Sequence, residues 1–144
     1  MIRIAGIHMV DSMTGRRHVN LNREWIEIAN FGQGPQDIYG CVIVTSRGEK
    51  AVLEPKGYTA LIIDPGRVVL VFSGRPDAAT DPPGVFMEME AERFFLSRTR
   101  PLFDREQDAA FLYPSMSAYL ADASAYIDAY NFTRHNQAKQ ILGV

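Results

Sequence analysis

"REWIEIANFG", residues Arg23 to Gly32, alternates bulky apolar side chains with carboxylates and ends on an Asn and a Gly. Successive side chains of an extended chain point to opposite faces. Ile26 and Ile28 therefore share one face, and Trp25, Glu27 and Ala29 share the other. The stretch reads as a strand, closed by the turn-forming Asn30 and Gly32. If it lies in one of two packed sheets, Ile26 and Ile28 enter the space between them. Glu27 is then expected to face water beside Trp25. The indole would lie across the outer sheet face or under the preceding connection, or else offer an aromatic contact to a partner.

Outward from this strand, short apolar runs separated by Gly, Pro, Asp and Asn repeat the pattern of an all-β chain. Ile2 to Val10 reads as a first strand, followed by a polar connection with Gly15 at its turn. After the "GQGPQDIYG" break, Cys41 to Ser46 form a nearly continuous apolar strand, and "RGEK" turns the chain. "YTALIID" and "RVVLVFSG" flank Pro65 and Gly66. Pro65 presets φ for a turn's first corner and Gly66 takes the positive φ of the second, which predicts a hairpin. Gly74 to Gly84 is the longest loop candidate, a place where rigid scaffolds carry binding residues. In "VFMEMEAERFFLS", Glu88, Glu90 and Glu92 alternate with Met87, Met89 and Ala91, as in a strand with one wet face.

Local rules conflict over residues 115–130. Tyr119, Leu120, Ala123, Tyr126, Ile127 and Tyr130 recur at helical spacing behind Pro114 and Ser115. The same stretch also alternates, with Asp122, Ser124 and Asp128 on one parity. A strand is preferred, since a sandwich lacking it would expose an edge; a short C-terminal helix is the alternative.

Taken in order, "NREWIEIANFGQGPQDIYGCVIV", "LIIDPGRVVLVFSG" and "RPLFDREQDAAFLY" resemble the lamin tail domain family. Glu24, Trp25, Ile26, Glu27, Ile28 and Asn30 match its second strand, and Asp37, Ile38, Tyr39 and Gly40 its Asp-Leu-X-Gly turn. Pro65 and Gly66 match its Pro-Gly hairpin; Asp104, Asp108, Ala109, Ala110 and Leu112 resemble a later segment. Cys41 stands where the family usually has Trp, Gln107 replaces a glycine, and the usual glycine of the last hairpin is missing. The resemblance implies an immunoglobulin-like β-sandwich over residues 1–130, a tail over 131–144, and a tethering or assembly role.

Composition agrees with one ordinary domain: 144 residues, 47% hydrophobic and 22% charged. The single cysteine, Cys41, fits a reducing compartment or a fold indifferent to redox state, and in its apolar strand it reads as a small buried hydrophobe. No secretory signal or membrane span is expected, and a cytoplasmic chain is the corresponding reading. A net charge of −2 argues against a nucleic-acid-binding role; the basic residues Arg3, Arg16, Arg17, Arg23, Arg134 and Lys139 are scattered. His8, His18 and His135 stand beside no nucleophile motif, so no catalytic residue is assigned. The acidic sets Glu88/Glu90/Glu92 and Asp104/Glu106/Asp108 offer oxygen ligands without the spacing of a calcium loop. No cofactor is expected.

The function expected is that of a non-enzymatic module holding another protein or a copy of itself. Trp25, Arg75 and Asp77 are the candidate contacts. With nothing fused to it, an independent adaptor or a self-associating subunit is the expected use. A small metal-assisted hydrolase or ligand-binding subunit built on the acidic sets is the alternative, and a nucleic-acid accessory protein the third.

Overall fold

A computed structural model of the chain describes residues 1–8, 21, 24–75, 92–104 and 106–133. Their order is β1 (Ile2–His8), β2 (Trp25–Asn30), β3 (Gln36–Asp37), β4 (Val42–Thr45), β5 (Lys50–Val52), β6 (Ile62–Ile63), β7 (Val68–Phe72), β8 (Glu92–Phe95), β9 (Gln107–Tyr113), α1 (Met116–Ala121) and β10 (Asp128–Thr133). Two four-stranded sheets, β1-β2-β7-β8 and β10-β9-β4-β5, pack face to face, with a short β3-β6 ribbon beside them. The expected all-β sandwich is therefore present. Every pairing is antiparallel except β7-β8.

Ile26 and Ile28 enter the intersheet core as their alternation predicts, meeting Val69, Val71 and Phe94 of their own sheet and Ile43, Ala110, Leu112 and Phe132 of the other. Strand β1 reaches the same core only through a β-bulge between Ile4 and Gly6. Simple alternation from Ile4 would turn Ile7 outward. The extra residue resets the phase, and Ile7 is fully buried. The Ile4 N–H at this irregular edge donates to Asp128 Oδ2 of β10 at 2.9 Å, so a carboxylate joins the edges of the two sheets.

Three expectations are corrected by pairing. Pro65 and Gly66 do make a tight turn, with Gly66 at φ +76° and Arg67 N–H donating to Asp64 O at 3.0 Å. It is no hairpin, because β6 pairs with β3 while β7 pairs with β2 and β8. The turn passes the chain from the ribbon to the first sheet, where Gly66 N–H donates to Asn30 O and Asn30 N–H to Arg67 O. Strands β3 and β5 lie in stretches the sequence reads as connections. Residues 115–130 are neither all strand nor all helix: α1 ends at Ala121, and β10 starts at Asp128 and runs past residue 130 to Thr133.

The helix has local causes. Ser115 caps it by accepting the Ala118 N–H at 3.0 Å, and Met116 and Tyr119 pack on Val42, Val44 and Tyr113, covering the outer face of the second sheet. Six residues do not sustain a helix alone, so this contact holds it. It stops at Asp122, whose carboxylate turns back to accept Ser124 N–H, and Ile127 N–H then rejoins the ladder at Leu112 O. Val85 to Ala91 of the expected acidic strand lie outside the described residues; Glu92 begins β8.

Gly40 and Gly66 both hold φ near +80°, and Gly66 has open space around the missing side chain. Gly66→Ala thus costs backbone strain alone, about 1–2 kcal/mol. Urea denaturation should show that loss with an unchanged m-value, and an equally stable variant would contradict the turn geometry.

Candidate functional site

Four of the residues that carry the resemblance, Glu24, Asn30, Asp37 and Asp108, share one task, which is holding loops. Glu24 is 1% exposed. Its Oε1 accepts the Ser73 hydroxyl and the Leu102 N–H, and its Oε2 accepts the Phe103 N–H at 3.1 Å. Burial raises its carboxyl above the ordinary range, and the hydrogen bonds from Ser73, Leu102 and Phe103, with the Arg98 charge, offset part of that rise. Asn30, fully buried, donates to Ile63 O and Gly34 O and accepts the Gly32 N–H. Asp37 accepts the Tyr39 and Leu61 N–H groups, both at 2.9 Å, beside the turn glycine Gly40.

Asp108 works the same way. Oδ1 accepts from Ser46 N–H, Ser46 Oγ and Ala109 N–H, Oδ2 accepts the Asp104 N–H at 2.8 Å, and Arg47 Nε approaches Oδ2 at 3.9 Å. Asp104 in turn accepts the Glu106 N–H. Within the acidic set Asp104/Glu106/Asp108, Asp108 is buried and engaged by the loop backbone, Asp104 is half-buried and Glu106 is exposed. Among the described residues no group of three or more His, Cys, Asp or Glu is placed to hold a metal ion. Glu88 and Glu90 lie outside the described residues.

Clefts lined by described residues flank the sandwich, and two bear on the acidic residues. One, about 350 Å3, is lined by Ser46, Gln107, Asp108, Ala109, Asn131 and Phe132 among others, and its carboxylate is the already engaged Asp108. The other, about 280 Å3, brings Asp64 and Glu92 to Arg67 beside Ile62 and Val69. Cys41 is buried, and burial, with Asp37 nearby, pushes its thiol up to about 11, so it is a packed hydrophobe as expected.

The largest departure from expectation is Glu27. It does lie on the outer face of the first sheet, but that face is not wet: Glu27 is 4% exposed. Register sets two rows across the face. His8, Trp25, Phe72 and Phe95 form one; Gly6, Glu27, Leu70 and Arg93 form the next. The first is a continuous aromatic row, with His8 stacked on Trp25 at 4.0 Å and Phe72 on Phe95 at 5.2 Å. Periodicity assigns Glu27 to this side; it carries no information about whether apolar neighbours or water lie over it.

Burial pushes the Glu27 carboxyl up to about 7, and the adjacent Trp25 side chain favours the charged form without offsetting that. Its Oε1 is buried without a hydrogen-bond partner among the described residues. Tyr130 of β10 is pushed up to about 12 by burial and by this carboxyl. Of the candidate contacts, Trp25 is buried at 3% exposure and presents no surface, Arg75 is exposed, and Asp77 lies outside the described residues.

Glu24 and Glu27 should therefore respond oppositely to neutralisation or truncation. Glu24→Ala strands the Leu102 and Phe103 N–H groups and should lose on the order of 3 kcal/mol. For Glu27 the folded value, about 7, lies above the reference 4.5. The burial penalty is absent below the unfolded value, grows as pH rises between the two, and is complete above the folded one. Glu27→Gln should be near neutral at pH 4 and stabilising by no more than about 3 kcal/mol at pH 8. Denaturant titrations at both pH values read this sign; a variant less stable at pH 8 would contradict it.

Compared with models of known protein families and with curated protein sequences, the chain matches none.

Proposed function

We propose that this chain is a non-enzymatic, immunoglobulin-like module of the lamin-tail kind that holds another protein or a second copy of itself. One observation carries the reading. Among the described residues the buried carboxylates of Glu24 and Asp108 are turned onto backbone N–H groups, while apolar side chains stand out on the connection between β9 and β10. Leu120 is 73% exposed, Tyr126 44% and Ile127 47%. Tyr113 fixes that connection from below, its hydroxyl donating to Ala123 O at 2.6 Å. A rigidly backed apolar projection is the sort of surface that protein partners cover.

The metal-assisted alternative draws less support, because Asp104 and Asp108 accept backbone protons that an ion would have to displace. The nucleic-acid reading rests on Arg3, exposed on β1, and on Arg16, Arg17, Arg23, Arg134 and Lys139, which lie outside the described residues, in a chain of net charge −2. Among the described residues no helix is long and apolar enough to cross a membrane.

Light scattering over a range of concentrations, combined with affinity capture from the host, tests the proposal. Either self-association or one stoichiometric protein partner is expected, weakened about tenfold or more in a Leu120→Asp, Ile127→Asp double variant. A monomer whose captured proteins are identical for wild type and variant would refute it. Millimolar Ca2+ is expected to leave the melting temperature unchanged; a clear rise would favour the metal reading instead.

A further inference from the structure

The second sheet, β10-β9-β4-β5, carries charge unevenly from one end to the other. At the β5 end stand Arg47 and Lys50, and Glu49 between them is shared by Arg98 at 3.6 Å and Arg100 at 2.8 Å. Arg47 approaches Asp108 at 3.9 Å. Lys50 forms no ion pair among the described residues; its Nζ donates to Gly48 O and stands 5.4 Å over the Tyr119 ring. Toward the β10 end the sign reverses, because residues 107–133 contain no Lys or Arg. Asp122, on the connection leading into β10, accepts the Ser124 hydroxyl and N–H, and Asp128 accepts the Ile4 N–H. All three donors are uncharged, and among the described residues neither carboxylate joins an ion pair. The Ser124 bonds hold the Asp122 carboxyl below its ordinary range.

Between these charges the exposed side chains are apolar. Val52 projects from β5, and Leu120, Tyr126 and Ile127 from the connection, over the base that Met116 and Tyr119 build on Val42, Val44 and Tyr113. An apolar centre with a charged rim is how protein interfaces are laid out. Strand-to-strand pairing is obstructed at both ends of this sheet, since Arg98 Nη1 donates to Lys50 O on β5 and Asp128 ties β10 to β1. Contact through the face is the geometry that is left. A face that is cationic at one end, anionic toward the other and apolar between them is complementary to itself after half a turn. We infer, building on the holding role proposed above, that the partner on this face is a second copy of the chain, related by a two-fold axis that sets each Lys50 against the other copy's Asp122 and packs Leu120, Tyr126 and Ile127 of both copies together. Any other partner would have to present the same charge order reversed; the chain supplies that order itself.

Sedimentation velocity of the full chain from about 1 to 500 μM at low salt should show a reversible monomer–dimer equilibrium. Lys50→Glu and Asp122→Lys should each raise the dimer Kd at least about tenfold, because each sets like charges together twice across the axis. An equimolar mixture of the two variants should associate to within about threefold of wild type, since both contacts between unlike copies are again opposite in charge. If circular dichroism shows that Asp122→Lys loses its helix, the salt dependence of the wild-type dimer decides instead. Its Kd should rise several-fold between about 0.05 and 0.5 M NaCl, and a dimer indifferent to salt would overturn the inference. So would a dimer unaffected by either reversal, or folded variants that do not associate on mixing. A wild type that stays monomeric overturns it as well. If one captured protein is then lost in the Leu120→Asp, Ile127→Asp variant, the holding role stands without self-association; if none is, both fall.

Discussion

The buried carboxylate of Glu24 is the contact on which the rest of the sandwich depends. It stands at the entrance of β2, and its two oxygens gather the Ser73 hydroxyl at the exit of β7 and the Leu102 and Phe103 N–H groups beyond β8. Two segments far apart in sequence are thereby fixed to one strand. Leu102 and Phe103, both buried, are delivered into the core, where Phe103 meets Phe132 of β10 edge-on at 5.1 Å. A carboxyl is tolerated in this interior because its oxygens are engaged by donors that would otherwise be orphans themselves.

The same device recurs at each end of the fold. Asn30 ties the exit of β2 to the ribbon through Ile63 O, Asp37 ties the ribbon to itself, and Asp108 folds the loop leading into β9. Loops of a sandwich cannot pair with a ladder, and their buried N–H groups need partners. Short polar side chains at the strand ends supply them. This is why residues that look functional in the sequence, being polar and set in apolar surroundings, turn out to be the joints of the scaffold.

Glu27, three residues from Glu24, reverses that logic. Both are buried glutamates, one at the entrance of β2 and one within it; the first has backbone donors converging on it and the second faces a glycine and a leucine across the sheet. Burial raises both carboxyls; at Glu24 the Ser73, Leu102 and Phe103 donors offset part of the rise and would be stranded without that side chain, whereas Glu27 Oε1 has no partner among the described residues. What a buried carboxyl does for the fold depends on the donors that reach it.

Much of the architecture was legible in residue order. The alternation of Ile26 and Ile28 against Trp25 and Glu27, the positive φ at Gly66 and the apolar run around Cys41 are short-range properties of the chain. They follow from the period of an extended backbone and from turn stereochemistry. What lay beyond reach depends on partners distant in sequence. Alternation named the outer face of β2 but not the aromatic row that makes it apolar, because that row is assembled from β1, β2, β7 and β8 by register. The Pro65-Gly66 turn was evident, yet which sheets it joins was decided by Asn30 pairing with Gly66 and Arg67. Residues 115–130 carried two periods at once, and only the open face of Val42, Val44 and Tyr113 selected a helix for the first part, while the edge of β9 selected a strand for the last. Local stereochemistry is written residue by residue; burial and strand pairing belong to the whole surface that the chain meets when it folds.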